Sequence, residues 1–177
     1  MATTAPNDPA PSLTASTLPS SDAFRTALRG AVAQVSVITL AMPDGEWSGI
    51  TLTSANALST QPPMMIACIN RSASAHPGLA IGAMLGWQLL GAAQAGVATA
   101  FSGTDGRRGA ARFVGAQWAL HDRARLLVGA PLACAVVVEN LSDFATHTVV
   151  IGRITALIET QGAGALAYRD GAYLPLP

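Results

Sequence analysis

The sequence predicts a mainly β fold, an antiparallel barrel with short helical additions, on three observations. Stretches rich in Val, Ile and Thr outnumber helical ones. Few of them alternate with helices in the way that builds a parallel sheet. The two longest, residues 132–145 and 146–159, follow each other directly and read as antiparallel neighbours.

Each element has its own reason. Ser20, Ser21 and Asp22 offer N-caps for a helix over residues 23–32. Residues 34–42, "QVSVITLAM", form a strand. Pro43-Asp44-Gly45 turns the chain, since proline presets φ and glycine allows φ > 0. Residues 46–58 return as one strand in which Thr alternates with apolar side chains. "STQPP" breaks the chain, and "MMIACIN", residues 64–70, is a buried strand. Residues 77–85 suit a short helix with Pro77 at its start, and residues 87–92 a short strand. Residues 93–103 are helical in composition and end at Gly103, after which "TDGRRGAARFVGAQW" is a polar turn or short helix. Residues 166–176 close the chain as a hairpin about Asp170-Gly171. Residues 1–21, rich in Pro, Ala, Ser and Thr, read as a flexible arm, and residues 22–177 as one domain.

Composition removes several functions. The 177 residues are 50% hydrophobic and 11% charged, with a formal net charge of zero. All ten cations are arginines, so lysine Schiff bases, lysine general bases and a Walker A loop are excluded. Nothing resembles the basic footprint of a nucleic-acid binder. The N-terminus lacks a secretory signal pattern, and no apolar run reaches the roughly 20 residues of a membrane span, so a cytoplasmic protein is expected. A surface so poor in charge suggests a covered face and hence a homo-oligomer.

Chemistry concentrates in "CINRSASAH", residues 68–76. A Cys68–His76 nucleophile pair would need the two side chains within hydrogen-bond reach, but Cys68 lies inside an apolar strand and suits packing. No ligand spacing supports a metal site. An anion cradle fits better: Asn70, Ser72 and Ser74 supply neutral donors, Arg71 a planar cation, and a helix starting near Pro77 would add its amides. His76 flanks the cradle, and a solvated polar turn is the alternative. A second polar cluster, Thr51 to Ser54, leaves the preceding strand and can bind a polyol or cap a turn. His147 opens an apolar strand, and Arg107, Arg108 and Arg112 form a basic patch that either faces solvent or serves a phosphorylated ligand.

Taken in order, "FRTALRGAVAQVSVIT", "GITLTSANALSTQPPMMIACINRSASAH", "FSG" with "ARFVGAQW", "HTVVIGRI" and "AYRDGAY" resemble the flavin reductase family with the FMN-binding split-barrel fold. These are the reductase components of two-component flavin monooxygenases. The resemblance covers about Phe24 to Tyr173 and implies a homodimer of six-stranded split barrels with FAD, or FMN, near the interface. It implies flavin contacts at Thr51, Leu52, Thr53 and Ser54. It implies phosphate contacts at Asn70, Arg71, Ser72 and Ser74, with His76 beside them and Arg112 near the phosphates. His147 is implied on the nicotinamide side of the flavin. The implied activity is hydride transfer from NADH to flavin, with reduced flavin passed to a separate monooxygenase. A non-catalytic flavin- or heme-binding module is the alternative, and an oxidase of the pyridoxamine-phosphate type is weakened by the missing lysines. The chain departs from the family pattern at Ala145-Thr146, where Gly-Asp commonly precedes the histidine. It departs again at Gln88, where Asn is frequent and a flavin contact is in question.

Overall fold

A computed structural model describes residues 18–177; the arm expected over residues 1–21 therefore lies mostly outside the described residues. Its described part begins α1, Ser21–Leu28, capped by the Ser20 hydroxyl, which accepts from the Ala23 amide at 3.1 Å. The strands follow as β1 Ala33–Gln34, β2 Ser36–Ala41, β3 Trp47–Leu52, β4 Ala55–Thr60, β5 Pro63–Asn70 and β6 Met84–Leu89. Then come α2 Ala95–Ser102, β7 Trp118–His121, β8 Ala124–Leu127, β9 Leu132–Phe144, β10 His147–Glu159, β11 Ala165–Arg169 and β12 Ala172–Leu176.

The antiparallel β architecture expected from the sequence is what the chain adopts. Its main sheet holds seven strands in the order β3-β2-β6-β9-β10-β5-β4, one more than the six expected, and it does not close into a barrel. The outermost strands, β3 and β4, are not bonded to each other, yet they are consecutive in the chain. Leu52 and Ala55 stand three residues apart and so within roughly 10 Å. The sheet must therefore curl until its two edges approach at Thr53-Ser54, leaving an open corner there.

Curling gives the sheet two cores. Successive residues of β2 alternate between them: Val37 enters one with Leu90, Phe101, Phe113 and Leu126, while Ile38 and Leu40 enter the other with Met65, Ile69, Leu85 and Trp87. The strand is covered on both faces, so Val35 to Leu40 are all buried, Ser36 and Thr39 included. The first core is braced by edge-to-face contacts of Phe101, Phe113 and Trp118, with centroids 5.0–5.5 Å apart.

Three expectations need correction. Residues 46–58 form two strands, β3 and β4, because the chain turns the corner at Thr53-Ser54. Residues 77–85 form no helix; a single 3-10 turn spans His76–Gly78, so no helix N-terminus faces the Asn70 loop. Residues 118–127 form a hairpin, β7–β8, that the sequence did not suggest. The paired long strands and the C-terminal hairpin lie where expected, the latter with Asp170 and Gly171 at positive φ of 50° and 86°.

Candidate functional site

The Asn70 loop leaves β5 and folds on itself. The Asn70 side-chain oxygen accepts from the Ser72 amide at 2.9 Å and from its hydroxyl at 2.8 Å. The Ser74 and Ala75 amides meet no acceptor among the described residues, and Ala75 is itself buried. The loop leans on the β9–β10 turn: the Arg71 amide donates to the Thr146 carbonyl at 2.9 Å, and Asn70 pairs with His147 in register.

Side chains of that turn then organise the loop. The Thr148 hydroxyl donates to Asp143 Oδ1 at 2.6 Å, and Arg71 reaches Asp143 Oδ2 at 3.4 Å. The Thr148 hydroxyl hydrogen is thus committed, so Thr148 Oγ1 must accept from His76 Nε2 at 2.8 Å, which places the hydrogen on that nitrogen. The Thr148 hydroxyl, and after it Arg71, lowers the Asp143 carboxyl from its ordinary value. His147 lies apart from this chain of bonds, half-buried, with its Nδ1 2.9 Å from the Thr146 hydroxyl.

The Thr51–Ser54 corner meets the same loop through β5. Ser54 donates to the Cys68 carbonyl at 2.8 Å, and the Cys68 amide returns a bond to the Ser54 carbonyl at 3.1 Å. Leu52 is buried in the core that also holds Ile69 and Ala75. The Thr51 hydroxyl donates to the Ala98 carbonyl of α2 at 2.7 Å, so it fixes the strand and keeps only acceptor capacity for a ligand. Thr51, Leu52 and Thr53 line a cleft of about 330 Å³, whose other wall is Tyr168 and Tyr173 of the C-terminal hairpin. Those two rings stand 5.5 Å apart.

Not every candidate joins this arrangement. Ser74 faces a separate cleft of about 310 Å³ with Ser48 and Trp47; Arg108, not Arg112, shares that cleft. Arg112 is buried, donates Nε to the Arg107 carbonyl at 3.0 Å and Nη1 to the Gly49 carbonyl at 2.7 Å, and lines a different cavity. It holds β3 from behind, two residues before Thr51. Gln88 lies fully buried in β6 and donates to the Arg125 carbonyl at 2.8 Å, so its departure from the family pattern changes the core and not the cleft. Asp143, Thr148, Tyr168 and Tyr173 were missed because their contacts to Arg71, His76 and the Thr51 corner join residues far apart in sequence; the polar run "SDFATHT" at a strand turn was the one local signal.

The chain belongs to the family described as flavin reductase like domain, which matches residues 28–177. It is 35% identical over 159 residues to the FMN reductase (NADH) RutF 2 of Methylorubrum extorquens, covering 89% of this chain and 91% of that one. It is 30% identical over 154 residues to the reductase component of an FADH2-dependent resorcinol hydroxylase of Rhizobium sp., covering 85% and 84%. Among solved structures, a flavin reductase domain protein from Arthrobacter sp. FB24 matches with a TM-score of 0.76 at 28% identity, covering 87% and 94%.

Proposed function

We propose that the protein is an NADH-dependent flavin reductase that supplies reduced flavin to a separate monooxygenase. The observation that supports this reading is the tie, through Ser54 and Cys68, between the corner that lines the cleft and the strand β5 that runs into the Asn70 loop. The donor set suits a flavin phosphate: the Asn70 side-chain amide and the Arg71 guanidinium both match an anion. Tyr168 and Tyr173 offer aromatic surface at the ring cleft. When bound, the flavin itself supplies the hydride-accepting chemistry. The chain's work is to seat the ring at Thr51–Thr53, hold the phosphate at the loop and keep water from the reacting face. His147, at the margin of the loop, orients the nicotinamide instead of acting as an essential acid or base.

Both FMN and FAD present the same phosphoribityl-ring half to this site, and the names of the relatives include one of each. The reading therefore assigns that half to the cleft and leaves the adenylate of FAD outside it. The protein works as a homodimer in this reading. Among the described residues no helix is long and apolar enough to cross a membrane.

The test is NADH absorbance with purified protein, in the presence of FMN, of FAD and of neither. Consumption that depends on added flavin supports the reductase reading. Tight flavin or heme binding with no NADH consumption would replace it by the non-catalytic module.

A further inference from the structure

Resting on the flavin reading above, we propose that Asp143 is an affinity-setting residue: it competes with the flavin phosphate for Arg71 and keeps flavin binding loose enough for release. Three observations meet here. Arg71 is the one cation in the Asn70 loop, and its guanidinium reaches Asp143 Oδ2 at 3.4 Å. That distance is long for a guanidinium–carboxylate bond, and both side chains are about half-exposed, so the pair is weak and exchangeable. The carboxylate is nonetheless fixed in place, because its other oxygen accepts the short Thr148 bond at 2.6 Å, and Thr148 in turn accepts from His76.

A negative group is thereby anchored against the one arginine of the Asn70 loop. A phosphate arriving at the loop must share or displace Asp143, and it feels the carboxylate's charge in doing so. A protein that retains its flavin as a prosthetic group gains nothing from this arrangement. One that hands flavin on gains a lower barrier to release, because Arg71 has a replacement anion at hand when the phosphate leaves.

The consequence is an increase in affinity on removing a charge, opposite to what a merely structural aspartate gives. In Asp143→Asn the side-chain oxygen still accepts from Thr148, so His76 and the loop keep their geometry while the charge is lost. FMN should bind about three- to tenfold tighter, the size of a weak ion pair together with one removed repulsion. Riboflavin, which has the ring and ribityl chain but no phosphate, should bind as it does to the unaltered protein. Fluorescence titration of both ligands against the full chain, Asp143→Asn, Arg71→Ala and the double variant reads this directly. In the double variant the gain should shrink, since Arg71 is the group competed for. If Arg71→Ala weakens FMN but Asp143→Asn binds it no tighter, the role of Asp143 is overturned and the phosphate reading stands. If Arg71→Ala leaves FMN unchanged and the full chain binds FMN and riboflavin equally, the phosphate is not at this loop, and both fall.

Discussion

Arg71 and Arg112 carry the same charge and serve opposite ends. Arg71 keeps its guanidinium at the surface, against a replaceable carboxylate, where it remains available to a ligand. Arg112 is buried; burial, and then Arg108, lowers its pKa from the usual guanidinium value, and two backbone carbonyls take its donors. Local sequence could not tell them apart, because what distinguishes them is the packing of Phe113 and β3 around one of them. Cys68 was legible as a packing residue from its apolar strand. Cys134 is 1% exposed, and burial pushes its thiol up from 9.0 to about 11. The folded state thus binds that proton more tightly than the unfolded chain does. Its contribution to stability is intact below about pH 9 and is lost as pH rises toward about 11. At about 1.4 kcal/mol per pH unit, roughly 3 kcal/mol is at stake. Melting temperatures followed from pH 9 to 11 should fall more steeply for the unaltered protein than for Cys134→Val.

At the scale of elements, the strands with simple burial were readable and the glycine-rich ones were not. "PGLAIGAML" has the composition of a helix, but its glycines are placed for close approach. A Cβ on Gly78 would stand 2.6 Å from Leu40 Cδ1, and Gly82 takes φ +82°, so the segment packs against β2 through two tight turns instead of a helix. Gly86 is tighter still. The Arg125 carbonyl, which accepts from Thr39 at 2.7 Å and Gln88 at 2.8 Å, occupies the place a Cβ would take. Gly86→Ala must displace the β7–β8 hairpin or break both bonds, and it should cost about 2–4 kcal/mol. Urea unfolding measures this, and a variant as stable as the parent would show that β8 is free to shift. The corner at Thr53-Ser54 was equally hidden. A run of alternating Thr residues looks like one strand, and only the position of β3 and β4 at opposite ends of the sheet order makes it the place where the edges meet. The polar cluster itself was legible as a strand end, and the fold uses its Thr51 and Ser54 hydroxyls to hold α2 and β5.

For the whole molecule, the sequence's scarcity of charge finds its counterpart in one region of the surface. Beyond Arg153, β10 leaves β5 behind and pairs only with β9, so its last residues form an open edge of the sheet beside the β9–β6 pairing. Leu157 is 60% exposed and Ile158 42%, and Leu58 on the edge strand β4 is 46% exposed. Single exposed leucines are ordinary, but apolar side chains on two open edges of the same sheet are a liability in a monomer. A second copy is the occupant expected from the family resemblance, and a two-fold interface would bury the same patch on both protomers at once. Light scattering during size-exclusion chromatography should therefore give twice the chain mass. Leu157→Arg sets two like charges near the axis of such an interface and should shift the species toward the monomer as concentration falls. Because the site is expected near the interface, FMN affinity should fall with it, whereas substitution of the exposed Val114, on another part of the surface, should change neither mass nor affinity. A chain that runs as a monomer at every concentration, with flavin-dependent NADH consumption intact, would show that the corner and loop of one protomer suffice.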